Sequence, residues 1–171
     1  MQIQILHTTP EDIPAIFPLY DDAIAYQKQV GNNHWYGFKS EQIEKEVDED
    51  RHYKILANGH ILGVFCLTFS DPEIWQELND DTHAMYIHRI ATSHQARGLN
   101  LVKHIIVWAR AYAQENNLKL IRIDTGAGND RLINYYISCG FTFIKDTTIA
   151  YEPGMPLHYK DGAFALLEMP A

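Results

Sequence analysis

Cationic residues are in short supply in this chain: 14 Lys and Arg face 22 Asp and Glu, for a formal net charge of -8. A surface of that sign offers no footprint for a nucleic-acid backbone or an anionic bilayer, so neither is expected as a partner. Cysteine is scarcer still. Cys66 and Cys139 each stand among apolar neighbours, outside any CxxC pair and without metal-ligand spacing to the histidines. They read as buried free thiols, and no metal is expected. No apolar run approaches the roughly 20 residues of a membrane span. The opening MQIQILHTTPEDI has neither the basic start nor the apolar stretch of a signal peptide. A cytoplasmic location is the expectation that follows. Internal repeats, low-complexity stretches and long linkers are missing too, and 171 residues with 46% hydrophobic content suffice for one globular domain, 1–171.

What is present is a succession of short periodic segments. IQIL alternates as a strand, and a turn at Thr8 to Pro10 leads into a helix through residues 11–30 whose early part is interrupted by Pro14 and Pro18. GNNHWYGF forms an aromatic loop, and Ser40 with Glu44 opens a charged second helix. HYKILA, NG and HILGVFCLTFS predict a hairpin. A polar connection, DPEIWQELNDDT, has room for a short helix before the strand HAMYIHRIAT, where Tyr86 and His88 share one face and Met85, Ile87 and Arg89 the other. After the loop SHQARGLN, apolar residues from Leu101 to Ala113 recur at helical spacing. LKLIRID is a buried-type strand, Asp130 to Cys139 a helix stopped by Gly140, and FTFIKDT and GAFALLEM are the last strands.

Arg122 to Asp130, RIDTGAGND, contains the Asp-Thr-Gly triplet of aspartic proteases. Such enzymes place two aspartates together in an almost wholly β fold. Here the triplet lies between two helices and has no second copy, so only a homodimer supplies the dyad through Asp124. The other expectation is that Asp124 ends a strand and TGAGN is its exit.

The unit from Met85 to Asn116 has a clearer use. Where a loop of small residues runs into a helix start, unpaired N–H groups and the helix dipole favour a phosphate. Arg97 adds a cation and Gly98 lets the chain bend. At RIATSHQARGLNLVKHII the sequence resembles the GNAT superfamily of N-acetyltransferases, whose pattern is a strand, Arg/Gln-x-x-Gly-x-Gly/Ala and a helix. Downstream, Asn129, Tyr136, Gly140 and Phe141 in NDRLINYYISCGF are similar in spacing to the family's second signature. Asn100 and Val102 stand where the family prefers Gly and Gly or Ala. Asparagine tolerates left-handed backbone, whereas the branched Val102 is expected to crowd the pyrophosphate.

The resemblance implies an α/β (α+β) fold with a mixed, mostly antiparallel central sheet flanked by helices, and an acetyl-CoA-binding core at 84–143. It implies acetyl transfer from acetyl-CoA to a small-molecule or peptide amine by direct attack in a ternary complex, without a metal. Cofactor contacts are expected from a bulge near Ile90, Ala91 and Thr92 and from Arg97, Gly98, Leu99, Asn100, Leu101 and Val102. Asn129 is expected to contact the pantetheine arm or cap the helix at Asp130. Tyr136 stands at the position of the family's general acid, with Tyr135 as the exposed neighbour if Tyr136 is only packed. His88 is the candidate base, its pKa near 6.5 suiting proton removal around neutrality, and a water chain is the other route. Trp35 and Tyr36 resemble the acceptor-lining loop or serve as core aromatics, and Tyr86 joins them on the substrate side. A homodimer is expected by analogy with relatives. The lost glycines keep open a member of the family that binds acyl-CoA, or a partner, without turnover.

Overall fold

Asn58 and Gly59 take φ of 50° and 81° and fold β2 (His52–Ala57) back onto β3 (His60–Thr68), as the Asn-Gly pair predicts. The computed structural model describes residues 2–160 and 162–171. Before this hairpin come β1 (Ile3–His7), α1 (Ile13–Gln29) and α2 (Ser40–Asp48). After it come α3 (Pro72–Trp75), β4 (Ala84–Thr92), α4 (Leu101–Glu115), β5 (Leu120–Gly126), α5 (Asp130–Ser138), β6 (Thr142–Thr148) and β7 (Ala163–Pro170).

Pro14 and Pro18 do not break α1. Pro14 sits in the first turn, where its missing N–H has no acceptor, and Pro18 lies on the exposed side. The Asp-Thr-Gly triplet is not a loop exit: β5 runs on through Asp124 and Thr125 to Gly126, paired throughout with β7.

Seven strands form one mixed sheet in the order β1-β2-β3-β4-β5-β7-β6. Every neighbouring pair among the described residues is antiparallel except β4 with β5. Helices cover both faces. Ile16, Leu19 and Tyr20 of α1 and Ile43 and Val47 of α2 pack with Val64 and Ala91 on one side. On the other, α4 buries Leu101, Ile105, Ile106, Ala109 and Ala113 against Phe65, Met85, Ile121 and Leu167. This is the stripe read from the sequence, and truncating fully buried Ile105 to Ala should cost about 2–5 kcal/mol. A third cluster sets Trp75 of α3 against Tyr86, Phe164 and Leu166. Among the described residues no helix is long and apolar enough to cross a membrane.

Two irregularities in β4 position the site. Its pairing with β5 runs from Ala84↔Leu120 to Ile87↔Ile123 and stops, so the parallel strands separate beyond that rung. Against β3, Val64 faces Ala91 and Cys66 faces His88, two steps on one strand against three on the other. The surplus residue is a β-bulge at Arg89 and Ile90, and Arg89 takes φ of 53°. The simple alternation that put Arg89 with Met85 and Ile87 therefore ends at His88.

Candidate active site

His88 and Asp124 are the first residues of β4 and β5 beyond the last shared rung. His88 Nδ1 lies 3.6 Å from Asp124 Oδ1, while its Nε2 lies 2.9 Å from Thr68 Oγ1 and 3.7 Å from Asp71 Oδ2. Asp71, just after β3, accepts a hydrogen bond from Ile74 N–H through Oδ1 and so caps α3, leaving Oδ2 without a partner. Burial, joined by the Arg89 and Arg51 guanidiniums, pushes the His88 imidazole down to about 3. Burial and the neighbouring Asp71 lift Asp124 to about 7. Asp71 rises to about 6 through burial, which outweighs the Ile74 hydrogen bond. Near neutrality the ring is therefore neutral, and the carboxyls are the groups that exchange protons.

On the other side of β4 the loop turns toward α4. Ser93 Oγ accepts from Gln95 N–H, and the N–H groups of Ala96, Arg97, Leu99 and Lys103 bond to Ser93, His94, Ala96 and Asn100 carbonyls. Those of Gly98, Asn100, Leu101 and Val102 have no partner among the described residues. Gly98 has φ of 82° and Asn100 is left-handed at φ 51°, ψ 43°, the conformation in which asparagine best replaces glycine. Val102, in the first turn of α4, is half-buried and packs on the core. Arg97 is exposed, 6.0 Å from the Tyr26 ring.

A cleft of about 2250 Å³ joins these regions, its walls including Ile90, Ala91, Thr92, Asn129, Trp35 and Tyr36. Tyr136 also lines it, 8% exposed, and burial together with Asp124, Tyr135 and Cys139 holds the phenol's proton well above the usual range. Asn129 caps α5, its Oδ1 accepting from Leu132 N–H at 3.3 Å. Trp35 packs among Tyr20 and Phe38, whereas Tyr36 is 62% exposed. Leu99 packs against the core and Leu101 is buried in it, so only their main chains remain for a ligand.

Tyr86 does not reach the cleft wall. It is buried behind His88, its hydroxyl donating to Asn79 and accepting from Arg122. Asp71 and Thr68 escaped the sequence-based expectations because only folding brings them to His88. From sequence Asp124 stood only as a protease carboxylate or as a strand end, although alternation with Arg122 in a buried strand marks it as a polar group facing the site.

A bulged strand leading through a loop of unbonded amides into a helix, with the neighbouring parallel strand splayed away, defines the class of acyl-transferring folds. The chain belongs to the acetyltransferase (GNAT) family, whose model matches residues 14–141. It is 25% identical over 149 residues, 83% of either chain, to the uncharacterized N-acetyltransferase YesJ of Bacillus subtilis (strain 168). An acetyltransferase of the GNAT family from Listeria monocytogenes has the same fold, with a TM-score of 0.77 at 23% identity over 99% of this chain and 95% of that one. A chain of the NatC complex bound to Gag peptide and CoA matches with a TM-score of 0.69 at 17% identity, covering 100% of this chain and 99% of that chain. Membership of this family replaces the aspartic-protease alternative, and Asp124 here faces a histidine in a mixed sheet.

Proposed function

We propose that this protein is an N-acetyltransferase that moves the acetyl group of acetyl-CoA to a primary amine by direct attack in a ternary complex. The observation that carries this reading is the run of unbonded amides at Gly98, Asn100, Leu101 and Val102 at the start of α4. A pyrophosphate fits that chemistry, because these donors lack protein acceptors and the helix dipole adds positive charge. Room exists at Gly98, where an added Cβ meets nothing within 4 Å. Arg97 would add a formal cation. The CoA named with the NatC structure supports the same ligand. Residues 84–143 would form the acetyl-CoA core, with main-chain donors near Ile90, Ala91 and Thr92 available to the thioester oxygen.

An incoming ammonium must lose a proton before it attacks. The Asp71, His88 and Asp124 cluster would accept it. Sequence alone assigned this role to His88, but its depressed pKa leaves Asp124, at about 7, as the member suited to exchange, with His88 holding it in place. Tyr136, which keeps its proton, would supply the departing sulfur. Trp35 and Tyr36 would line the acceptor's approach. The alternative of binding without turnover rested on the lost glycines at Asn100 and Val102, and Asn100 takes the left-handed conformation a glycine would. The packing of Val102 against the core favours a loop that already accommodates the ligand.

Isothermal titration with acetyl-CoA, with CoA as control, tests the donor. Binding at millimolar affinity or better is expected, followed by CoA release in the presence of a panel of primary amines. Failure of acetyl-CoA to bind removes the catalytic reading.

A further inference from the structure

Asp71, His88 and Asp124 come from the N-cap of α3, from β4 and from β5, and one ligand-capable atom of each lies within 4.8 Å of the others. Asp71 is the telling member. Its side chain is 9% exposed, and its Oδ2 has no hydrogen-bond partner while lying 3.7 Å from His88 Nε2. A buried carboxylate oxygen without a donor costs about 1–3 kcal/mol or more. The nearby cations do not relieve it. Arg51 is paired with Glu49, Arg89 with Glu46, and Arg122 with Glu168.

We propose that Asp71, His88 and Asp124 bind one divalent transition-metal ion through two carboxylate oxygens and one imidazole nitrogen. Two oxygens and a nitrogen form a borderline donor set that suits Zn²⁺ or Mn²⁺ and is poorly matched to Ca²⁺ or Mg²⁺. With metal-ligand bonds of about 2.0–2.2 Å, ligand atoms stand roughly 3–4.2 Å apart. With Nε2 engaged by Thr68, Nδ1 is the nitrogen free to bind, and its 3.6 Å separation from Asp124 Oδ1 already falls in that range. The widest pair, at most 4.8 Å, has to close by about half an ångström. Thr68 Oγ1, 2.9 Å from Nε2, fixes the imidazole as the hydrogen-bonded neighbour of a metal-bound histidine does. Three protein ligands leave a coordination position for water or a substrate group from the cleft.

Sequence spacing gave no hint of this set, since each ligand sits on a different stretch. The ion would occupy the same oxygens that the acetyl-transfer reading uses for proton uptake, so metal occupancy and turnover would exclude one another. Metal binding itself does not depend on that reading.

The test is calorimetric titration of ZnCl₂ into chelator-stripped full-length protein, repeated with MnCl₂. Wild type should bind one Zn²⁺ per chain. Asp71→Asn retains the acceptor for Ile74 N–H and hence the α3 cap, so it should fold and lose affinity about tenfold or more. Asp124→Asn should behave likewise, and each variant's fold is checked by thermal unfolding without metal. His60→Ala, at an exposed histidine, should leave the titration unchanged. Absence of a stoichiometric wild-type site overturns the proposal, as does a site that persists in whichever carboxamide variants fold. Acetyl-CoA titration of the same samples keeps failure of the metal site distinct from failure of the transferase reading.

Discussion

His88 and Asp124 face one another with Nδ1 and Oδ1 3.6 Å apart, across the opening made where β4 and β5 cease to pair. Their position follows from strand geometry. Tyr86 opposes Arg122 one turn of the pleat earlier and already bonds to it, so the same face carries the next polar pair into the gap. Behind them the contact is a buried hydrogen bond; ahead it becomes two titratable groups with different proton affinities.

Asp124→Asn removes the carboxylate while preserving size. Turnover should fall by roughly 10²-fold or more, with acetyl-CoA affinity nearly unchanged. Steady-state kinetics alongside calorimetry checks this, and wild-type turnover would move proton uptake to another group.

Tyr136→Phe removes only a hydroxyl from the cleft wall. A loss of about 10²-fold in turnover at constant CoA affinity is expected of a general acid. Equal loss in affinity and rate would make the residue a packing element, in keeping with its edge contact to Phe141.

Val102→Gly distinguishes a fitted loop from an obstructed one. CoA affinity should stay within a few-fold of wild type, while the helix loses about 1 kcal/mol from the added backbone freedom. A large gain in affinity would show that the isopropyl group crowds the ligand.

His52 contributes one pH dependence of stability, in the same sense as the more strongly depressed His88. Thr8 Oγ1 and Tyr20 OH lie 2.8 and 3.0 Å from the two ring nitrogens of His52, and burial, then Arg89, pushes it down to about 4. In the unfolded chain its pKa is about 6.5. Between those values the unfolded state binds more protons, so this contribution is present at neutral pH and is lost as pH falls through about 6.5 toward 4. The full interval is worth roughly 3 kcal/mol. The raised carboxyls Asp71 and Asp124 act in the opposite sense, favouring the fold less as pH rises above the usual carboxylate range. Urea unfolding of wild type and His52→Gln at several pH values isolates the histidine: the difference in stability between them should shrink on acidification. A constant difference would give His52 no titrating role.

Local signals carried much of the architecture. Asn58-Gly59 imposes its own turn, the spacing of Leu101, Ile105 and Ala109 dictates the buried side of α4, and Asn100 adopts the left-handed conformation for which its short polar side chain is suited. The phosphate-type loop was legible because its parts are contiguous. A bulge was expected only by resemblance, since alternation alone continues straight through it, and near Ile90 to Thr92; it begins earlier, at Arg89. Tyr86 and His88 share a face, yet nothing local determines that one is sealed against Arg122 while the other meets the cleft. Asp71 shows the same limit more sharply. Its neighbours in sequence specify a helix cap, and its second oxygen acquires a meaning only when β4 and β5 are laid beside it.

The rung Ile87↔Ile123 also fixes the gauge of everything beyond it. Side chains on a strand alternate, so deleting one residue from β5 before Asp124 would rotate its carboxylate out of the gap and bring a neighbour in. Loops can lengthen at little cost, but these two strands must be counted residue by residue up to the point where they part.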